Sequence, residues 1–210
     1  MVQKASKNTF KRIHVIPAQK KDLPAIWQLY ARVCGADCEL PLTAAISTNG
    51  NTPTHAASNE VANAAGWILG IYPNKTDFEK RIAVEEFFIA QVDTPSGIVL
   101  AGAFGLDSMD DSDYAQASWK QQLHEDEVAS IHMLAVLPEF RGLGVGDAMM
   151  RAAHCMSCDW GKKAIRLAVV KGNVAACTLY ERHGFECVDT LSVYYESSGE
   201  TPLLLFEKAL

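Results

Sequence analysis

Several features that mark whole classes of protein are missing from this sequence. No apolar run approaches the roughly 20 residues of a membrane-spanning helix. The basic N-terminal stretch, residues 1–18, lacks the apolar core of a signal peptide. Basic residues are not in excess either: 19 Lys and Arg stand against 25 Asp and Glu, giving a net charge of -6. These absences predict a cytoplasmic protein with no membrane and no nucleic-acid partner.

Cysteine is present six times, and in the cytosol these thiols are expected to be reduced. Cys34 and Cys38 are closely spaced, as are Cys155 and Cys158, so that four thiolates could bind zinc or act in redox chemistry. The second pair falls in the last turns of a predicted helix, whereas a reactive thiol needs a helix N-terminus to lower its pKa. The pattern therefore favours small, buried, free cysteines and no metal. A metal- or thiol-based regulator is the alternative.

The chain has 210 residues, 49% of them apolar, enough for one domain with a substantial core. We find no repeat and no linker, so we predict a single domain over 1–210, with an irregular insertion around 35–66. Apolar periodicity predicts strands at 12–18, 87–94, 98–106, 128–136, 163–170, 185–195 and 202–210, and helices at 22–34, 76–87, 147–160 and 173–184. This order predicts an α/β (mixed α+β) fold, with helices on both faces of a sheet.

Four local signals refine these boundaries. Asp22 is the predicted N-cap of the first helix. Thr76 and Glu79 have the spacing of a capping box, which predicts the start of the second helix. Gly184 is the predicted C-terminal cap of the fourth helix. The acidic connection before the fourth strand predicts a short helix over Tyr114–Leu123.

The segment Ile131–Met150, IHMLAVLPEFRGLGVGDAMM, places three glycines at alternate positions between a strand and a helix. A P-loop is excluded because Asp147 follows the last glycine in place of Lys. A dinucleotide fingerprint has G-x-G-x-x-G after its first strand, and this loop has neither feature. Glycines let backbone N–H groups turn inward, and a helix N-terminus with Arg141 adds positive charge. The loop therefore predicts a pyrophosphate site, with a ligand-free turn as the alternative.

Two segments, LAVLPEFRGLGVG and NVAACTLYERHGFE, resemble the Gcn5-related N-acetyltransferase (GNAT) family. The first resembles the family's acyl-CoA motif, R/Q-x-x-G-x-G/A. The second resembles its N-x-x-A-x-x-L-Y-x-x-x-G-F signature. The matching positions are Arg141, Gly144 and Gly146 in the first motif, and Asn173, Ala176, Leu179, Tyr180, Gly184 and Phe185 in the second. The stretch WILGIYPNKTDFEKRI is similar to a subset of bacterial members whose acceptor is unknown to us.

The resemblance implies a mixed, mostly antiparallel sheet of six to seven strands flanked by helices, with acetyl-CoA as co-substrate and no metal. A strand of the family binds the pantetheine arm as an added strand would. The implied cofactor-binding residues are Leu134, Ala135 and Val136 at the arm, Arg141, Gly142, Leu143, Gly144, Val145, Gly146 and Asp147 at the pyrophosphate, and Asn173, Ala176 and Tyr180 on the following helix.

Two residues are candidates for catalysis. Tyr180 could donate a hydrogen bond or a proton to the departing thiolate, because a thiol pKa of about 8–9 lies below that of a phenol. An amine with a pKa of about 10.4 arrives protonated, and His132 could take that proton directly or through water. Some members of the family carry a second His or Glu where this chain has Ser130. The base is therefore open: Glu127 and Asp126 are alternatives, and His132 could be a half-buried structural histidine.

The predicted function is N-acetylation of a primary amine on a small molecule or a protein. A non-catalytic acyl-CoA-binding sensor or interaction module is the alternative. If the acidic connection from Asp107 to Glu127 lines the cleft mouth, it would attract a cationic acceptor. Aromatic residues that could wall an acceptor pocket are Tyr72, Tyr114 and Trp119. The apolar C-terminal strand leaves a homodimer open.

Overall fold

The structure is a computed structural model, and it describes residues 12–35, 65–108, 114, 116–195 and 199–210. Most of the predicted insertion around 35–66 lies outside the described residues, so the insertion and the single domain over 1–210 stay predictions. The strands are β1 Ile13–Pro17, β2 Phe87–Thr94, β3 Gly97–Asp107, β4 Val128–Val136, β5 Ala164–Val170, β6 Glu186–Tyr195 and β7 Gly199–Ala209. The helices are α1 Leu23–Val33, α2 Lys75–Ala83, α3 Val145–Asp159 and α4 Val174–Arg182. The seven strands and four longer helices predicted from the sequence are confirmed in type and order.

The strands form one sheet in the order β1-β2-β3-β4-β5-β7-β6. All neighbours are antiparallel except β4 and β5, which are parallel. The β4–β5 ladder has only three residue pairs, from Val128↔Ala164 to Ser130↔Arg166. Strand β5 pairs with β7 along its whole length, from Ala164 to Val170. The sheet is therefore two parts, β1–β4 and β5-β7-β6, joined at a narrow base.

Helices cover both faces of the sheet, as predicted. Every residue of β3 from Leu100 to Asp107 is buried, which requires cover on each side. A Cβ added at Gly102 would lie 3.0 Å from the Met149 sulfur on α3. A Cβ added at Gly105 would lie 3.3 Å from Cδ of Arg81 on α2. These two glycines therefore mark close approaches on opposite faces.

Both predicted N-terminal caps differ in detail from the structure. The cap of α2 is Asn74, whose Oδ1 accepts from the backbone N–H groups of Thr76 (2.9 Å) and Asp77 (3.2 Å). The Asn74 N–H in turn donates to the Asp77 carboxylate (2.8 Å). The predicted Thr76–Glu79 capping box is therefore wrong by two residues. Helix α1 does begin directly after Asp22, but that carboxylate accepts from the Gln19 N–H (2.8 Å) and so closes a preceding 3-10 turn.

The short helix predicted over Tyr114–Leu123 is not formed as one helix: Tyr114 is in a 3-10 conformation, and residues 116–123 form turns, bends and irregular backbone. The Ala117 N–H donates to the Tyr114 carbonyl (3.0 Å), but two later backbone donors bind acidic side chains on the sheet. The Ser118 N–H donates to Asp189 on β6 (2.8 Å), and the Gln121 N–H donates to Glu207 on β7 (3.1 Å). Tertiary partners therefore replaced a helical hydrogen-bond pattern that the sequence alone allowed.

The cysteines are less buried than predicted. Cys155 and Cys158 do lie in the last turns of α3, but both are exposed, and so is Cys187. Helix α3 directs Met149 and Ala153 into the core, and this leaves the two cysteines on its outer side. Cys38 lies outside the described residues. Within the part of the chain that the structure describes, no group of three His, Cys, Asp or Glu side chains could hold a metal ion.

The apolar character of the C-terminal strand is explained by its burial inside a single chain. Strand β7 lies between β5 and β6, so both of its backbone edges are paired. Its side chains Leu203, Leu205 and Phe206 are buried in the core. A homodimer stays a prediction, and this strand gives no separate reason for it. Across the described ranges, no helix combines the length and the apolar character needed to cross a membrane.

Candidate functional site

A cleft opens where β4 and β5 separate. After Ser130 the two strands are no longer paired, although β4 continues to Val136 and β5 to Val170. Because the strands are parallel, their carboxyl ends lie at the same end of the cleft. The glycine loop follows β4 there, and α4 follows β5. The structure thus brings the two sequence motifs to one end of one cleft.

The β4 edge of this cleft is irregular. Met133 has a positive φ of 52°, and the β3–β4 register shifts between Ala103 and Gly105. The Tyr30 hydroxyl of α1 donates to the Met133 carbonyl. Beyond this bulge Leu134, Ala135 and Val136 continue the strand, and Ala135 pairs with Ala103 of β3. Backbone groups on the β5 side of this segment therefore face the cleft, where none of the strands in the described residues pairs with them.

The glycine loop forms an open cradle at the start of α3. Gly142 (φ 74°) and Gly144 (φ 88°) adopt the left-handed conformation that glycine tolerates, and a Cβ on either would meet nothing within 4 Å. Gly144 is the N-cap of the 15-residue α3, so unpaired N–H groups and the positive end of the helix dipole point to the loop. The Arg141 Nε donates to the Val136 carbonyl (3.2 Å). Burial lowers the pKa of Arg141 from its usual value.

The rest of the loop packs α3 against α4. Val145 is buried, Leu143 is half-buried against the core, and a Cβ on Gly146 would approach Leu179 at 3.1 Å. Asp147 accepts from Arg182 (2.7 Å) and His183 (2.9 Å). Burial alone would raise the pKa of Asp147, but the hydrogen bonds from His183 and Arg182 outweigh it and lower the pKa. In this structure the Asp147 carboxylate holds two helices together.

Helix α4 carries the remaining predicted residues. Asn173 caps the helix, with its Oδ1 accepting from the Ala176 N–H (3.3 Å), and Ala176 packs half-buried against the core. Tyr180 is 6% exposed, and its ring lies 6.1 Å from that of Phe185 and 5.9 Å from that of Phe206. Burial raises the pKa of Tyr180 well above its usual value. The hydroxyl therefore stays protonated and is available as a donor.

His132 has a partner that the sequence interpretation assigned elsewhere. Its Nε2 lies 3.0 Å from Oδ1 of Asp107, whose other oxygen, Oδ2, binds Arg81 of α2. Asp107 was expected in a solvated acidic connection, but it is the last residue of β3 and its side chain is 0% exposed. Arg81 carried no sequence signal for the site. In the β3–β4 ladder Gly105 lies opposite His132, and knowledge of this pairing would have revealed the cluster of Arg81, Asp107 and His132. A β-bulge in β3 interrupts the simple alternation of residues, so the sequence pattern alone does not show the pairing.

The other candidate bases, Glu127 and Asp126, lie directly before β4, and each has a lysine contact. Glu127 pairs with Lys163, and that hydrogen bond lowers the pKa of Glu127. The backbone carbonyl of Asp126 accepts from Lys162 (2.7 Å). A carboxylate with a lowered pKa is a weaker base, so the geometry favours His132 over Glu127. Of the aromatic residues predicted to wall an acceptor pocket, Trp119 stacks on Arg166 (4.3 Å) and Tyr72 is 44% exposed.

Known proteins resemble this chain at several levels. Residues 83–187 match the family described as an acetyltransferase (GNAT) domain. A 69-residue segment is 36% identical to an uncharacterized N-acetyltransferase of Methanocaldococcus jannaschii, covering 33% of this chain and 30% of that protein. A 77-residue segment is 34% identical to the mycothiol acetyltransferase of Corynebacterium glutamicum, covering 36% of this chain and 26% of that protein. The matched segments thus span less than a third of either relative.

One solved structure extends the likeness to almost the whole chain. It is a protein from Salmonella typhimurium solved with its cofactor acetyl-CoA, and it covers 95% of each chain with a TM-score of 0.57. Sequence identity is 14%, so this likeness concerns the fold.

Proposed function

The chain belongs to the Gcn5-related N-acetyltransferase (GNAT) family, and from that membership we propose that it transfers the acetyl group of acetyl-CoA to a primary amine. The acceptor amine belongs to a small molecule or a protein. The observation that carries the proposal is the β4–β5 cleft, with an open strand edge and a glycine cradle at the same end. A cytoplasmic location and the absence of metal, membrane and nucleic-acid partners are parts of the same proposal.

Two parts of the cleft are suited to binding acetyl-CoA. The unpaired β4 edge at Leu134–Val136 offers backbone donors and acceptors to the amides of the pantetheine arm. The cradle from Arg141 to Asp147 offers backbone N–H groups, open space and positive charge to the pyrophosphate. Within it the Asp147 carboxylate is paired with the Arg182 guanidinium and hydrogen-bonded to His183, which reduces its repulsion of an anion. Asn173 and Ala176 border the arm from the α4 side.

The proposed reaction needs one base and one donor. His132 accepts a proton from the ammonium group of the acceptor, directly or through water. The neutral nitrogen attacks the thioester carbonyl and a C–N bond forms. The C–S bond breaks as CoA leaves as a thiolate, and the new amide nitrogen releases its second proton to solvent. The Tyr180 hydroxyl donates a hydrogen bond to that sulfur. Because burial raises the pKa of Tyr180, stabilising the departing sulfur is favoured over complete proton transfer, and solvent supplies the proton that completes the thiol.

The test is thiol release from acetyl-CoA in the presence of alkylamines, amino sugars and peptides with a free N-terminus. Replacing Tyr180 with Phe is expected to lower kcat by about 10²-fold, the usual size of such a contribution, without changing the affinity for CoA. The matched control is Tyr194→Phe, because Tyr194 lies on the edge strand β6 and is 71% exposed. That variant should keep full activity.

Two results would count against the proposal. Equal turnover in the wild type and the Tyr180→Phe variant would remove Tyr180 from the reaction. Acetyl-CoA binding without thiol release, whatever the amine, would favour the alternative of a non-catalytic acyl-CoA-binding module.

A further inference from the structure

Resting on the proposed function, we propose that Asp107 is a positioning residue for His132. Its buried carboxylate holds the imidazole in the tautomer protonated on Nε2, so that the lone pair of the neutral ring is on Nδ1, the nitrogen that receives the proton of the acceptor amine. Arg81 keeps the carboxylate in its charged form.

The donor and acceptor roles follow from the chemistry of the three groups. An ionised carboxylate only accepts hydrogen bonds. Asp107 Oδ2 receives the guanidinium of Arg81, and a cation in direct contact favours the ionised carboxylate. The 3.0 Å contact between Asp107 Oδ1 and His132 Nε2 is therefore a bond that Nε2 donates. The neutral imidazole then carries its only ring proton on Nε2.

The three side chains of this cluster come from three different secondary-structure elements. Asp107 ends β3, His132 lies within β4, and Arg81 comes from α2. Gly105 lies opposite His132 in the ladder, and a Cβ there would come within 3.5 Å of the His132 Cβ and 3.3 Å of the Arg81 side chain. The absence of that side chain lets the imidazole and the guanidinium both reach the carboxylate. A buried charge is tolerated only when it is paired in this way.

Two other aspartate–histidine pairs in the described residues show what is particular about this one. His14 and Asp93 are 3.6 Å apart, with side chains 45% and 31% exposed. The carboxylate of Asp147, which binds His183, is 30% exposed. Water competes for both of those carboxylates. The Asp107 side chain is 0% exposed, while that of His132 is 19% exposed, so one end of the pair is fixed and the ring still reaches solvent.

The first test is the tautomer of His132, read from ¹⁵N–¹H correlations of the imidazole in the ¹⁵N-histidine-labelled full chain at about pH 9, well above the ordinary imidazole pKa of about 6.5. Loss of signals in His132→Gln identifies the ring. We expect Nε2 protonated in the wild type, and a loss of that preference in Asp107→Asn. Asp93→Asn is the matched control and should leave the His132 signals unchanged.

A wild-type ring protonated mainly on Nδ1 would overturn the proposal, and so would an Asp107→Asn spectrum identical to the wild type. The wild-type measurement stands even if the Asp107 variant folds poorly. Since it needs neither acceptor nor turnover, it remains readable if the transferase activity proposed above is absent.

The second test separates positioning from a structural role. Asp107→Asn is expected to lower kcat by about 10- to 100-fold, at or below the smallest loss usual for a general base itself, with little change in KM for acetyl-CoA. Combined with His132→Gln, it should add no further loss, because a residue that acts only through His132 has nothing left to act on. A double variant that is slower by the product of the two single effects would show that Asp107 acts independently of His132.

Discussion

Gly144 gives the sharpest test of the cofactor cradle. It is the N-cap of α3, it has φ 88°, and an added Cβ would meet nothing within 4 Å. Gly161 follows the other end of the same helix with φ 71° and equally open surroundings. Replacing each with Glu introduces the same carboxylate with the same backbone penalty, but only Gly144→Glu places it where the pyrophosphate is proposed to bind.

The expected magnitudes can be worked out for both variants. A left-handed residue other than glycine costs about 1–2 kcal/mol. For a domain of this size that lowers Tm by roughly 2–8 °C, and neither variant has a clash to add. Acetyl-CoA at a hundredfold excess over Kd stabilises the folded state by about 2.7 kcal/mol. This corresponds to a rise of roughly 5–11 °C.

The assay is a thermal melt of each protein with and without acetyl-CoA, with ATP and NAD as control ligands. The wild type and Gly161→Glu should show the full rise with acetyl-CoA and none with the controls. Gly144→Glu should melt at a similar temperature to Gly161→Glu without ligand and lose the rise. An undiminished rise in Gly144→Glu would refute the assignment of the cradle.

Two further predictions concern stability. Asp147→Asn should cost about 1–3 kcal/mol in urea unfolding at pH 7, because it removes charge-assisted bonds from Arg182 and His183. The pKa of Asp147 is lowered in the folded state, so its contribution to stability is complete above the unfolded-state pKa of about 3.9. That contribution is lost as the pH falls through the folded-state pKa. A difference in stability between the two proteins that persists unchanged at pH 2 would contradict this. Gly102→Ala should destabilise the protein by about 1–3 kcal/mol, because its Cβ would lie 3.0 Å from the Ala135 carbonyl oxygen on the backbone. Gly105→Ala would bring a Cβ to 3.3 Å from the Arg81 side chain, a longer contact that involves no backbone atom, and should cost less in the same urea titration. The reverse order would contradict the packing argument.

The order of strands and helices was predictable because apolar periodicity is local and strong in this chain. The conformation of the glycine loop was predictable because its signal is also local: the three glycines are close together in sequence, and two of them adopt positive φ. Caps were harder, since Asn74–Asp77 and Thr76–Glu79 have the same spacing and overlap. Only the fold shows that Asn74 leaves the preceding turn in an extended conformation.

The partner of His132 could not be predicted from local patterns. Asp107 sits among acidic residues that look solvated, and its burial depends on the end of β3 lying beside β4 and under α2. The register shift between Ala103 and Gly105 interrupts the simple alternation along β3, so the sequence pattern does not show which residues of β3 lie opposite those of β4. The single helix expected over Tyr114–Leu123 is not formed for a related reason, because the Ser118 and Gln121 N–H groups bind carboxylates more than 60 residues away in sequence.

The three-pair junction between β4 and β5 also has a consequence for how the protein opens. With so few ladder bonds between them, the β1–β4 part and the β5-β7-β6 part are expected to exchange their amide hydrogens as two separate cooperative units in the absence of ligand. A ligand that hydrogen-bonds along Leu134–Val136 lies between them in the place of a strand. Binding should therefore slow exchange on both sides of the cleft together, so that the co-substrate links two parts of the sheet whose β4–β5 ladder has three residue pairs in the described residues.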